Sequence, residues 1–181
     1  LARLLSPQDI GIFSMSAVLM AVAHVFRDFG VTSFIKREKE LTPDSLSSAL
    51  GVLLITSWSV AALMFLSAPY WAHFFHEARV VPVVQVLALG FVFIPFGAIP
   101  MAIISREMDV KKSATIGAVA TVVHFGASVG LALAGFGPMT MAWANLINII
   151  VTGAMARRAL GRSLPWIPGF SQLKGIVHFG L

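Results

Sequence analysis

The sequence predicts an all-α integral membrane protein, a polytopic helical bundle, and three observations carry that expectation. Hydrophobic residues fill 57% of the 181 positions and charged residues only 12%, against about 45–50% and about 25% in soluble domains. Mean hydropathy is +0.87. The apolar residues fall in long runs, each at or above the roughly 20 positions needed to cross about 30 Å of hydrocarbon. A water-soluble fold of this size has too little interior for so much apolar surface, which excludes soluble enzymes and disordered tails. Thirteen Lys and Arg stand against eight Asp and Glu, for a net charge of +5. The bases lie in short blocks between apolar runs, a topology pattern rather than a nucleic-acid footprint. With no cysteine there is neither a disulfide nor a thiolate metal site. The five histidines form no HxxxH or HExxH pair, and His73 and His76 would need further ligands to hold zinc. No metal and no cofactor is expected.

The first span is expected near 8–35. Ser6 suits its N-cap, Pro7 its first helical position, and Asp9 the positive end of the helix. The apolar run from Ile10 to Ile35 is broken by His24, Arg27 and Asp28, and closes at Lys36–Glu40. Thr42, Pro43 and Asp44 repeat the start signal before a second span at 45–72. A short turn, His73–Arg79, leads to a third span at 80–105, where Pro95 and Pro100 each remove a backbone donor and predict a bend. After the polar loop 106–112, no charge occurs from Ser113 to Ala156, too long a stretch for one crossing. Gly135-Phe136-Gly137-Pro138 divides it into spans at 113–134 and 138–156, since Gly ends helices and Pro starts them. Arg157–Arg162 closes the fifth span. Pro165–Gly169 reads as an extended connector with Trp166 at headgroup depth. Leu1–Leu5 reads as the tail of one helix and Leu173–Leu181 as the start of another. The expectation is five complete spans with partial ones at both ends, an internal piece of a longer chain.

Orientation follows from the bases. Loops 36–39, 106–112 and 157–162 share one side and hold nine Lys or Arg. The other side has Arg3, Arg79 and nothing in the 135–138 turn. The positive-inside rule therefore predicts that loops 36–44, 106–112 and 157–172 are cytoplasmic.

Within the spans, His24, Arg27 and Asp28 are the most informative residues. An Arg at mid-bilayer costs about 2.5–3.5 kcal/mol on insertion scales and normally faces protein or water. The i,i+3 and i,i+4 spacings from His24 put all three on one helical face. Two readings stand. In one, the face lines a cavity and Arg27 meets an anionic group such as a phosphate. In the other, Arg27 snorkels to the headgroups, since Lys36 lies about 13 Å away along a helix. His124, mid-span, reads as a hydrogen-bonded structural histidine or a proton carrier. Asn145 and Asn148 could join helices or meet sugar hydroxyls. Gly117, Gly126, Gly130 and Gly135 predict that the fourth span packs closely against a neighbour. Tyr70, Trp71, Phe74 and Phe75 form an interfacial aromatic belt. No Walker A, dinucleotide, GxSxG or paired-carboxylate motif is present.

Several segments resemble bacterial polysaccharide exporters. Leu1-Ala-Arg-Leu-Leu-Ser-Pro-Gln-Asp-Ile-Gly11 is similar to the LARLLSPEDFG-type segment that ends their first helix. Asp28-Phe-Gly30 is similar to their D-L-G, and the likeness continues through Ile35–Thr42. Ser105-Arg-Glu-Met108 with Lys111 resembles their Q-R-E-M-x-[FY]-K loop, and Phe136-Gly137 followed by Trp143-Ala144 resembles their G-F-G-x-x-x-L-x-x-G turn. The likeness is to the polysaccharide transporter and lipopolysaccharide exporter branch of the multidrug/oligosaccharidyl-lipid/polysaccharide exporter superfamily. It implies a two-lobe fold, with 1–164 as the N-terminal-lobe bundle and 165–181 as connector and start of the next helix. It also implies a non-enzymatic flippase of the bacterial inner membrane, moving an undecaprenyl-diphosphate-linked oligosaccharide, with polysaccharide polymerases as further partners. The cavity candidates, taken from the residues themselves, are Arg27, Asp28, His24, Asn145 and Asn148. His24–Arg27 and Met141–Trp143 depart from the family pattern, so no role is carried over for them. A cation-coupled drug or small-molecule antiporter of the superfamily is the alternative, with Asp28 as its one membrane carboxylate. A membrane enzyme of the same pathway is the second alternative, disfavoured by outer loops only a few residues long.

Overall fold

A computed structural model describes residues 6–27, 35, 42–161 and 169. Asp28, the basic cluster 36–39, Trp166 and the two end segments lie outside the described residues. Five helices follow one another: α1 (Pro7–Arg27), α2 (Pro43–Phe74), α3 (Val80–Arg106), α4 (Val110–Leu133) and α5 (Met139–Leu160). Among the described residues, α2 to α5 are the four helices long and apolar enough to cross a membrane. The described part of α1 stops at Arg27, short of the apolar run to Ile35 on which the longer span was expected.

Side-chain caps set the starts. Ser6 Oγ accepts from the Asp9 amide at 3.1 Å, and Asp9 Oδ2 accepts from the Ser6 amide at 3.2 Å, a reciprocal box. Thr42 Oγ1 accepts from the Ser45 amide at 3.1 Å. Asp109 Oδ1 accepts from the Lys112 amide at 3.0 Å, so α4 starts before the charge-free run from Ser113.

Three helix ends reverse by one hydrogen-bonding plan. Beyond α2, the His76 amide donates to the His73 carbonyl and the Glu77 amide to the Ala72 carbonyl. Met108 and Asp109 repeat the pattern beyond α3, and Gly135 and Phe136 beyond α4. This Schellman arrangement requires a left-handed residue, supplied by His76 (φ 54°), Met108 (φ 52°) and Gly135 (φ 79°). The reversals take only three to five residues, so α2 to α5 alternate in direction. One end of the bundle gathers Asp9, the α2–α3 turn and the α4–α5 turn; the opposite end carries Arg106, Lys111, Lys112, Arg157 and Arg158.

The third helix is the centre. Val80, Val83, Val84, Leu87 and Phe91 are buried with Met64, Ala68 and Ala72 of α2, Ala142 and Leu146 of α5, and Ile12, Met20 and Ala23 of α1. Toward the Arg106 end, Ile99, Ala102 and Ile103 meet Leu46, Ala49, Leu50 and Leu53 of α2. The helix continues without interruption through Pro95 and Pro100, and α2 does the same through Pro69.

The close approach falls elsewhere than expected. A methyl group on Gly117, Gly126 or Gly130 of α4 would meet nothing within 4 Å. One on Gly97 would lie 2.8 Å from the Gly153 Cα, and one on Gly90 2.9 Å from Ile149 Cδ1. The seam that needs glycine is thus α3 against α5. A small residue matters only where another backbone stands opposite, and α4 presents its glycines outward.

Replacing Gly97 by Ala should lower stability by about 1–3 kcal/mol through overpacking, while Gly126→Ala should leave it unchanged or raised, since Ala is the better helix former. Thermal unfolding of the detergent-purified variants tests this, and an unchanged midpoint for Gly97→Ala would reject the seam.

Candidate functional site

The candidate polar residues that the structure describes fall in two places in the bundle. On α1, the His24 ring packs on Phe91 of α3 with centroids 4.9 Å apart and planes inclined by 44°. Phe91 is fully buried, so the His24 face of α1 points at the centre of the bundle. Arg27, three positions on, is the last residue of α1; its side chain, like Asp28, lies outside the described residues.

The second place is the α4–α5 seam. Asn148 Nδ2 donates to the Ala120 carbonyl at 3.0 Å, and Asn148 Oδ1 accepts from Thr152 Oγ1 at 3.4 Å. Both halves of the amide are engaged, in the helix-joining role open to it from its spacing. Asn145, one turn nearer the α4–α5 reversal, is half-buried. His124, one turn beyond Ala120 on α4, has its Nδ1 buried without a hydrogen-bond partner among the described residues, and its carbonyl accepts from Ser128 Oγ at 2.8 Å. His24 therefore meets α3, whereas Asn148 meets α4.

An ion cluster ties the Asp9 end together. Arg79 grips Glu77 with Nε at 2.9 Å and a second guanidinium nitrogen at 3.0 Å, and reaches Asp9 at 3.9 Å. The Arg79 hydrogen bonds hold the Glu77 carboxyl below its usual range, and Glu77 in turn raises the guanidinium. A methyl on Gly137 would come within 3.7 Å of Asp9 Oδ1, so the α1 start, the α2–α3 turn and the α4–α5 turn converge on one carboxylate. Close by in sequence, Trp71 stacks on Phe75 and meets Tyr70 and Phe74 edge-on. At the opposite end, Asp109 pairs with Lys112 Nζ at 3.0 Å and its carboxyl is held low by the Lys112 amide. There Arg106 donates to the Ile35 carbonyl at 3.4 Å, and the Gly169 amide donates to the Ser47 carbonyl at 2.9 Å.

Thr152 was absent from the sequence-derived candidates, although its i,i+4 spacing from Asn148 is readable. The Asp9–Arg79 contact joins residues 70 positions apart, and no local spacing announces it.

A bundle of antiparallel apolar helices with bases gathered at one end and polar side chains joined across its seams is a multi-pass membrane protein. The chain belongs to the polysaccharide biosynthesis protein family, which it matches over residues 1–181. It is 26% identical over 161 residues to the lipopolysaccharide biosynthesis protein WzxC of Escherichia coli (strain K12). That match covers 89% of this chain and 32% of the relative, so the chain spans about a third of the length of the curated relative it matches. No solved structure matches it. The family resemblance read from the Leu1–Gly11, Asp28–Gly30, Ser105–Lys111 and Phe136–Ala144 segments is borne out.

Asn148→Leu should lower stability by about 0.6 kcal/mol and at most about 1.7 kcal/mol, the range for interhelical hydrogen bonds in membranes. A thermal midpoint equal to that of the parent protein would show that the bond does not hold α4 to α5.

Proposed function

We propose that the protein is a flippase of the bacterial inner membrane. Its cargo would be an undecaprenyl-diphosphate-linked oligosaccharide destined for surface polysaccharide or lipopolysaccharide. The observation that carries this reading is the match of a multi-pass membrane chain, over its whole length, to a polysaccharide biosynthesis family. A membrane protein in such a pathway has one task that a soluble one cannot perform: moving a sugar-bearing lipid headgroup across hydrocarbon. The charged headgroup needs a shielded polar route, because an ion alone in the bilayer core is costly.

In this reading the present helices belong to one lobe of a two-lobe exporter. Arg27 receives the diphosphate, Asp28 holds the guanidinium in place, and His24 extends the same face toward Phe91. Asn145 is the amide left to meet sugar hydroxyls, while Asn148 joins α4 to α5. The prolines of α3 remove internal hydrogen bonds where the lobe would flex between inward and outward openings. The end with Arg106, Lys111, Lys112, Arg157 and Arg158 faces the cytoplasm.

Orientation is tested by single cysteines at exposed positions in this cysteine-free chain. Phe136→Cys should react with an impermeant thiol reagent added outside the inner membrane, and Lys111→Cys only after the membrane is opened. The reverse pattern would overturn the topology. Thr140, at the same turn as Phe136, is fully buried and unsuitable as a probe.

Transport is tested by extracting lipids from cells that lack the full-length gene. A complete, unpolymerised lipid-linked repeat unit should accumulate, and Arg27→Ala should fail to clear it although the protein is inserted. Unchanged lipid-linked intermediates with normal surface polysaccharide would overturn the reading in favour of small-molecule antiport.

A further inference from the structure

A groove between α3 and α5 combines features that the flippase reading does not use. Phe93 and Phe96 of α3 and Ile149, Ile150, Gly153 and Ala154 of α5 wall a cavity of about 330 Å³, and Arg157 stands at its end. The lining is otherwise entirely apolar. Phe93, Ile150 and Ala154 are exposed, so the groove opens sideways along the helices rather than into the core. Its depth comes from the Gly97–Gly153 approach, which brings two backbones together and leaves no side chain to fill the space above Gly153.

Dimensions and charge define the occupant. From Ile149 to Arg157 is eight residues, about 12 Å along a helix, which is close to one leaflet of a hydrocarbon core about 30 Å thick. Arg157 is half-buried beside the groove, whereas Arg158 is exposed and is not part of its lining. Both can meet the negative end of α5, but only Arg157 can address the head of a molecule whose chain lies along Phe93 and Ile150. A guanidinium is matched to phosphate oxygens by its fork of donors.

We propose that the α3–α5 groove is a binding site for an anionic phospholipid of the leaflet at the Arg157 end. One acyl chain lies between the Phe and Ile walls, and the headgroup phosphate is held by Arg157. The single-leaflet depth favours an acyl chain over a far longer polyprenyl tail. The inference is independent of what cargo the protein moves.

The test uses the full-length protein in nanodiscs of phosphatidylcholine doped with phosphatidylglycerol, with retained lipid read by native mass spectrometry. Arg157→Gln should lower phosphatidylglycerol retention about tenfold, the effect of losing roughly one charge-assisted hydrogen-bonded contact. Arg158→Gln should leave retention within about twofold. Ala154→Phe, which fills the groove and keeps the charge, should reduce retention as much as Arg157→Gln. Equal losses for the two arginine variants would mean a diffuse surface-charge effect and overturn the site. Retention unaffected by Ala154→Phe would overturn the acyl-chain placement. Undecaprenyl phosphate displacing phosphatidylglycerol at equal concentration would reassign the groove to the polyprenyl lipid. Because lipid retention is read without transport, its failure is distinguishable from failure of the flippase reading.

Discussion

The crossing of α3 and α5 at Gly97 and Gly153 is the contact from which the other positions follow. Two apolar helices in lipid gain little from hiding apolar surface, since the lipid is as apolar as they are. What holds them is dispersion between surfaces that approach closely, and the closest approach is backbone to backbone. With no side chain at either glycine, α3 and α5 meet with room for nothing larger than a hydrogen atom. Gly90 repeats the device two turns earlier, where Ile149 fills the space. Residues adjacent to Gly90 point about 100° away on the helix, so Phe91 turns toward α1 and receives His24. The same crossing fixes α5, and α5 carries α4 through the Asn148–Ala120 bond. The places of His24 and of Asn148 are thus both indexed to one seam.

The reversals add a second constraint. Schellman turns of three to five residues leave no slack, so consecutive helices from α2 to α5 run in opposite directions and their ends align at two levels. That alignment converts a sequence-level bias in Lys and Arg into a spatial one, with Arg79 at one end among the described loops and the remaining described loop bases at the other. His76 and Met108 hold left-handed conformations without being glycine. Non-glycine residues tolerate this region at some cost, and the paired backbone hydrogen bonds at each turn offset it. At the Asp9 end a single carboxylate caps α1, approaches Arg79 and lies under Gly137, which links three segments that the turns alone leave independent.

Much of the fold was legible in the sequence. The boundaries at Ser6-Pro7, Thr42-Pro43 and Gly135–Pro138 are where helices begin and end, because capping and left-handed closure depend on residues within one turn of each other. The span expected near 113–134 begins where charge ends, whereas α4 begins at Val110 because Asp109 caps it. Small residues do set the closest helix approach, but on α3 and α5 rather than on α4. Gly90 and Gly97 of α3 and the lone Gly153 of α5 are inconspicuous beside the glycines of the fourth span. Of the candidate residues, Asn148 had its two roles foreseen and its engagement left open, since a hydrogen bond to Ala120 depends on how α4 and α5 are rotated.

The sequence by itself determined membrane class, number and direction of the described helices, the caps at Ser6 and Thr42, the break at Gly135–Pro138 and the end at which the loop bases collect. These are set by hydrophobic run length, by local backbone chemistry and by loop composition, all of which act over a few residues. Only the tertiary structure decided which glycines face a backbone, which partner each buried amide finds, that Asp9 meets Arg79, and that Arg157 rather than Arg158 borders a groove. Those outcomes depend on the rotation of each helix about its axis. In helices this apolar the hydrophobic pattern is nearly uniform around α2 to α5, so their rotation is chosen by the packing of neighbours and not by the sequence of any one segment.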